Sequence, residues 1–251
     1  KKYTLDNLIA DGYDTKLSTF EVLLPALIAN FEKDAQAQEP KFKDLEAPIQ
    51  VLKNWNYYSN VNSVATTLAN EWAFKLNPIL QKVYIDEGEK DQVENMSEFA
   101  KTAGIDDMLP QLREVVQELQ AKFGKWEIPW GDINRFQRPS GDIDLTYDDN
   151  KESLAMGTAS VLWGSLPAFK SSYQNNSKKR YGYNGNSFIC AVEFGPKIKA
   201  KSLLAGGNSG DPNSKHFFDQ AKMYQNAQFK DVLFYKEDVQ KNAEKTYHPG
   251  E

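Results

Sequence analysis

The residues that most often carry chemistry are scarce in this chain of 251 residues, which has a single cysteine, Cys190. One thiol excludes an internal disulfide and a cysteine-rich metal site. Cys190 lies in the apolar run Phe188-Ile189-Cys190-Ala191-Val192, which reads as core, the habit of a free cysteine. Two histidines are present, His216 and His248, so a self-contained Ser-His-Asp triad has only these for its base. His216, at the start of an expected helix, reads as a packed, hydrogen-bonded residue, and His248 stands close to the end, where order is least assured. There is no Walker loop, no Gly-x-Gly-x-x-Gly, no Gly-x-Ser-x-Gly elbow and no His-Glu-x-x-His. No apolar run approaches the roughly 18–20 residues of a membrane span, so no membrane partner is expected. Lys1-Lys2-Tyr3 leads straight into a helical pattern without a leader, as in a chain that starts mid-protein or has been trimmed. Basic charge is short too. Lys and Arg number 30 against 35 Asp and Glu, a net charge of -5, and no basic stripe is available to neutralise phosphates. Nucleic acid is therefore not an expected partner.

What is present is the composition of an ordinary soluble globular protein, 40% hydrophobic and 26% charged, long enough for one large domain or two small ones. The first half reads helical. Phe20, Leu23, Leu24, Leu27, Ile28 and Phe31 mark one helical face, with Ser18-x-x-Glu21 as a capping box and Pro25 calling for a kink or a late start. Asn62-Ser63 caps a second helix lined by Val61, Ala65, Leu68, Trp72 and Leu76, which Asn77-Pro78 interrupts. A third runs from about Asp107 to Phe123, with Leu112, Val115, Val116 and Leu119 inside and Gly124 as its stop. The charged stretch 86–98 reads as a solvated loop or helix face.

From Trp126 the character changes, which divides the chain into a mainly helical region, 1–125, and a strand-rich region, 126–251, without a clear linker between them. Ser187 to Phe194 and Ala200 to Leu204 read as short buried strands, and Ser140 to Tyr147 and Ser171 to Asn186 as polar loops. Asp142, Asp144, Asp148 and Asp149 form an acidic loop, but it lacks the glycine and closing glutamate of an EF-hand, and no metal is expected.

The most informative stretch is Gly206-Gly207-Asn208-Ser209-Gly210-Asp211-Pro212-Asn213-Ser214-Lys215-His216-Phe217-Phe218-Asp219-Gln220. It resembles a signature near the C-terminus of the penicillin acylase family of N-terminal-nucleophile (Ntn) hydrolases, departing at Asn208, where glutamine is more usual, and at Lys215, where proline is. Other motifs follow in the family's order: Leu24-Pro25-x-Leu27; Leu52-x-x-Trp55-Asn56 with Asn62-Ser63-x-Ala65; Trp130-Gly131-Asp132-Ile133-Asn134-Arg135; and Gly185-Asn186-Ser187-Phe188 with Val192-Glu193-Phe194-Gly195. The last, with the ending Tyr247-His248-Pro249-Gly250-Glu251, is similar to the subgroup of acyl-homoserine lactone, aculeacin and cephalosporin acylases.

The resemblance implies an α+β fold whose strand-rich half contributes to an αββα sandwich, and a precursor cleaved into two subunits. The nucleophile would be the new N-terminal residue of the large subunit, with its own α-amine as base; an unperturbed α-amine pKa of about 7.7–8.0 suits that task. That residue, the oxyanion-hole asparagine and a nearby arginine align upstream of Lys1. The implied partners are the small subunit, the first part of the large subunit and a small acylated amide; no cofactor is implied, and the location is periplasmic or secreted. Glu193 is the catalytic candidate, matching a glutamate that orients a histidine beside the nucleophile. Trp130, Gly131, Asp132 and Arg135, and Asn208, Ser209, Gly210, Ser214, His216, Asp219 and Gln220, read as structural motif residues. The alternative reading is a non-catalytic glycan-binding or structural module, for which 12 tyrosines and 5 tryptophans would have to lie on an exposed face.

Overall fold

The computed structural model describes residues 3–87, 92–139, 146–174, 177–248 and 250, with side chains of 81–87 and 92 left out. The helices are α1 (Leu5–Gly12), α2 (Thr19–Ala35), α3 (Glu46–Lys53), α4 (Val64–Glu87), α5 (Gln92–Thr102), α6 (Ile105–Phe123), the single turn α7 (Trp130–Ile133), α8 (Ala221–Gln225) and α9 (Lys236–Lys241). The strands are β1 (Asn134–Phe136), β2 (Leu154–Ala155), β3 (Phe169–Tyr173), β4 (Arg180–Gly185), β5 (Phe188–Glu193), β6 (Lys199–Leu204) and β7 (Lys230–Asp231). The class is α+β, as the sequence implies. The change from helix to strand falls near residue 126, but the compact units divide elsewhere: Asp14–Gly185 forms one, and Lys1–Tyr13 with Asn186–Glu251 forms the other.

In the larger unit α2, α4 and α6 pack around a core joined by α3 and α5. Phe20, Leu23, Leu24 and Leu27 of α2 are fully buried. Each such side chain contributes about 1.5–3 kcal/mol, which outweighs the cost of about 3 kcal/mol for an internal proline. That is why α2 runs through Pro25 from Thr19. The capping box does not form: Ser18 makes no side-chain cap bond, and Glu21 pairs instead with Lys16 at 2.7 Å. The same balance corrects the expectation at Asn77-Pro78. α4 continues through Pro78 to Glu87, carried by the buried Leu68, Trp72 and Leu76 on its inner face. Its start is as expected, with Ser63 Oγ accepting from Thr66 N at 3.0 Å. α6 begins where Asp107 Oδ2 accepts from Gly104 N at 2.8 Å and ends at Gly124, whose φ of 79° suits glycine.

The sheet of this unit has the order β2-β1-β4-β3, with β1 and β4 parallel and the other pairs antiparallel. The segment expected as a polar loop, Ser171 to Asn186, instead supplies most of β3 and all of β4. Those strands have no apolar alternation to announce them. Tertiary contacts hold them: Tyr181 is fully buried and stacks on Tyr147 at 4.8 Å, and buried Arg180 pairs with Glu71 of α4.

In the smaller unit β5, β6 and β7 form an antiparallel sheet with Ala191 opposite Lys201 and Glu193 opposite Lys199. Lys201 bonds Asp6 of α1 at 2.7 Å, which places α1 on the face of Ile189, Ala191 and Leu203. The other face carries Phe188, Cys190 and Val192, all exposed, with Phe188 at 61%. Cys190 is therefore not core. The apolar run alternates across a strand that is covered on one side only, so continuity of hydrophobic residues misjudged it.

Candidate functional site

The Trp-Gly-Asp-Ile-Asn-Arg motif is a junction between the helices and the sheet of the larger unit. Trp130 is buried and its Nε1 donates to Thr158 O at 3.1 Å, while Gly131 N donates to Val61 O at 2.8 Å. A Cβ on Gly131 would stand 2.8 Å from the Val61 Cβ and 3.0 Å from the Ala155 Cβ, so only glycine admits this approach. Buried Asn134 donates to Met156 O and Thr158 O, both at 2.8 Å, and accepts from Ser171 Oγ at 2.7 Å. Arg135 donates to Ser153 Oγ, Ser153 O and Gly131 O. Burial lowers its pKa, against the raising influence of Asp132. Asp132 itself is exposed. Trp130, Gly131 and Arg135 thus join backbone segments, while the Asp132 side chain makes no such link among the described residues.

Beside this junction lies a polar network. Asp149 accepts from Ser177 Oγ, from Lys178 N at 2.9 Å and from Tyr181 Oη at 2.9 Å. Burial opposes its charge, but these donors outweigh burial and hold the carboxyl below its ordinary pKa. The stability this contributes is present above the ordinary carboxylate pKa of about 3.9 and is lost as pH falls through the lower folded-state value. Asp149→Asn should accordingly lower the urea midpoint near pH 6, with the gap from the parent narrowing below pH 4; a constant gap across that range would contradict the assignment. Asp148 Oδ1 accepts from its neighbour Asn150, so both carboxylates are taken up within the chain. Asp142 and Asp144 lie outside the described residues. Among the described residues no three His, Cys, Asp or Glu side chains group as metal ligands.

The Gly206–Gln220 block is a self-bonded turn assembly in the smaller unit. Gln220 N donates to Gly206 O at 2.9 Å, Ser209 N to His216 O at 3.0 Å, and Gln220 Nε2 to Asn208 Oδ1 at 3.2 Å. Ser209 Oγ and Ser214 Oγ accept from Asp211 N and His216 N. Gly210 is exposed in the turn. A Cβ on Gly207 would stand 2.1 Å from His216 O, so glycine is required there. His216 Nδ1 bonds Asp219 Oδ2 at 2.7 Å, and both are substantially exposed. One expectation is corrected: His216 does not begin a helix, because α8 starts at Ala221, after the turns that bond to Gly206 and Asn208.

Glu193 lies on the α1 face of β5, beside Lys199 at 3.8 Å, with its side chain 48% exposed. The uncovered face of the strand carries its neighbours, not Glu193. No hydrogen bond joins Glu193 to His216 or His248 among the described residues. The structure thus gathers the motif residues into two structural assemblies and leaves Glu193 apart from both. Trp55, Trp72, Trp130 and Trp163 are buried and Trp126 packs against the core, so the tryptophans form no exposed platform for a glycan. What the sequence reading missed is the Arg180–Glu71 pair and the cavity beside it, lined by Asn70, Phe74, Trp130, Phe169, Arg180 and Tyr183 among others.

Residues 1–241 match the penicillin amidase family model. The chain belongs to the penicillin amidase family. Among solved structures it is similar to a thermostable penicillin G acylase from Alcaligenes faecalis, at 15% identity and a TM-score of 0.43, over 94% of this chain and 47% of that one. The chain spans about half the length of that acylase.

Proposed function

We propose that this chain is the C-terminal part of the large subunit of an N-acyl amide hydrolase whose N-terminal nucleophile lies upstream. The αββα core, the small subunit as partner and a periplasmic or secreted location belong to the same proposal. Acyl-homoserine lactone or lipopeptide amides are the first substrate class and β-lactam amides the second, by the subgroup motifs around Glu193.

The family match over residues 1–241 carries this reading. The face of β5 with Phe188 and Val192 exposed, followed by Phe194 at 83% exposure, supports it, because an apolar sheet face of this kind is ordinarily covered. The isolated chain should self-associate and bind a hydrophobic dye. Co-expression with the upstream part of the precursor should give a stable complex in which dye binding falls, and Phe188→Ser should reduce dye binding by the isolated chain. A monodisperse monomer that binds no dye and ignores the upstream part would sink the proposal.

Glu193 is the carboxylate the resemblance ties to a histidine beside the nucleophile. In the full-length enzyme Glu193→Gln is then expected to lower kcat by about tenfold to a thousandfold with little change in KM, because orientation is lost while the nucleophile stays. Unchanged kinetics would reduce Glu193 to the surface pair with Lys199.

A further inference from the structure

In the smaller unit β5 is the outer strand of the order β5-β6-β7, and among the described residues it pairs with β6 alone. Opposed residues in an antiparallel pair alternate between those that exchange backbone hydrogen bonds and those that turn their N–H and C=O away. Two bonds fix the phase here. Ala205 N donates to Ser187 O at 2.9 Å, so Ser187, Ile189, Ala191 and Glu193 bond to β6. Val232 N donates to Ala200 O at 2.8 Å, so Ala200, opposite Val192, turns its groups to β7, in the same phase. Phe188, Cys190 and Val192 therefore point their N–H and C=O groups out of the open edge.

Apolar side chains flank that edge on both sides. On one face Phe188 is 61% exposed and Val192 37%. Over the other face lies α1, whose Asp6 reaches inward to Lys201 of β6. Leu8, two residues on and so about 200° round the helix, leans to the opposite flank, the β5 side, and is 45% exposed. The devices that ordinarily guard an edge are missing. β5 has no proline, no lysine and no bulge, and its one charge, Glu193, stands at its end.

Such an edge is a template for another strand, and the strand that fits is β5 itself. Antiparallel pairing of two copies about Cys190 sets Phe188 opposite Val192 of the second copy and Cys190 opposite Cys190. This is the register within β5 that engages all three outward residues. Glu193 then falls opposite Ser187, so no like charges meet, and the two α1 helices approach by their Leu8 flanks.

We propose that this chain forms a two-fold dimer in which β5 pairs with β5 of a second copy, joining two three-stranded sheets into one. The inference needs only residues of the smaller unit and does not rest on the acylase reading. Under that reading the upstream part meets the same strand, so the dimer belongs to the chain without it.

The test is a concentration series of the full chain, read by sedimentation and by site-resolved hydrogen exchange. A two-chain species should form. Exchange at the Phe188, Cys190 and Val192 amides should slow at least tenfold with it, while Ile189 and Ala191, already bonded to β6, change little. Paired Cα atoms about 5.5 Å apart suit a disulfide, so diamide, which takes up the two thiol hydrogens, should join the copies through Cys190. Val192→Pro removes an outward N–H and leaves the bonds to β6, and Val192→Lys adds a charge at an exposed position. Each should stay folded by circular dichroism, weaken dimerisation at least tenfold and slow the cross-link in proportion. A monomer throughout the series, or open-ended aggregates alone, would leave the edge to some other polypeptide and overturn the proposal. So would a dimer whose three outward amides exchange as in the monomer, or one that folded Val192→Pro and Val192→Lys both leave at full strength.

Discussion

Purified residues 1–251 should release no amine from an acyl-homoserine lactone or a penicillin above the blank rate. The expectation rests on what the chain places together. His216 is held by Asp219 at 2.7 Å in an exposed turn, and no Ser, Thr or Cys side chain bonds its ring among the described residues. Glu193 faces Lys199. Under the proposed function the nucleophile, its α-amine and the oxyanion donors all belong to the upstream part. One oxyanion donor alone is worth about 10²–10³ in kcat, and loss of the nucleophile removes the covalent route altogether. The measurement is amine release by high-concentration purified chain against a heat-treated control. Turnover that follows the protein through purification and vanishes on His216→Ala would mean that this chain holds a site of its own.

The second large effect concerns stability. Glu71 and Arg180 form a pair whose side chains are 12% and 8% exposed, and the guanidinium lies 4.3 Å from the Phe74 ring centroid and 4.9 Å from that of Tyr173. Burial, with the Glu71 charge beside it, pushes the Tyr173 phenol pKa up. Removing the carboxylate leaves a buried cation without its partner, at a cost of about 3–5 kcal/mol. For a unit of this size each kcal/mol moves the midpoint by about 2–4 °C, so Glu71→Ala should lower Tm by roughly 6–20 °C. Replacing both residues with apolar side chains should recover much of that loss, because the pair repays little beyond its own desolvation. A Glu71→Ala variant melting with the parent would mean that the guanidinium finds water or another carboxylate.

The helices were legible because their cores repeat at three- and four-residue steps: Phe20, Leu23, Leu24 and Leu27 declare a face without any help from distant residues. Pro78 misled because local propensity is a small quantity beside the burial of Leu68, Trp72 and Leu76. β3 and β4 were illegible for the opposite reason. Their polar residues are held by partners far along the chain, Glu71 standing 109 positions from Arg180, and no window of sequence shows such a pair. The same distance hid the cavity, whose wall joins residues near 70, 130, 160 and 170–183. The motif blocks were legible as structure, because glycines such as Gly131 and Gly207 mark close approaches that no side chain survives. Cys190 was misjudged because an apolar run does not tell whether one face of a strand or both are covered.

The central proposal is that this chain belongs to the C-terminal part of a large subunit whose nucleophile lies upstream, and the N-terminal residue of the mature polypeptide carrying residues 1–251 tests it most directly. The full precursor would be expressed, the mature protein separated under denaturing conditions, and the polypeptide containing these residues sequenced from its amino end and weighed intact. The account predicts a Ser, Cys or Thr with a free α-amine, upstream of Lys1, on a polypeptide longer than this one, with a second, smaller polypeptide alongside. A mature polypeptide that begins at or near Lys1, or a single uncleaved precursor that hydrolyses acyl amides, would contradict it.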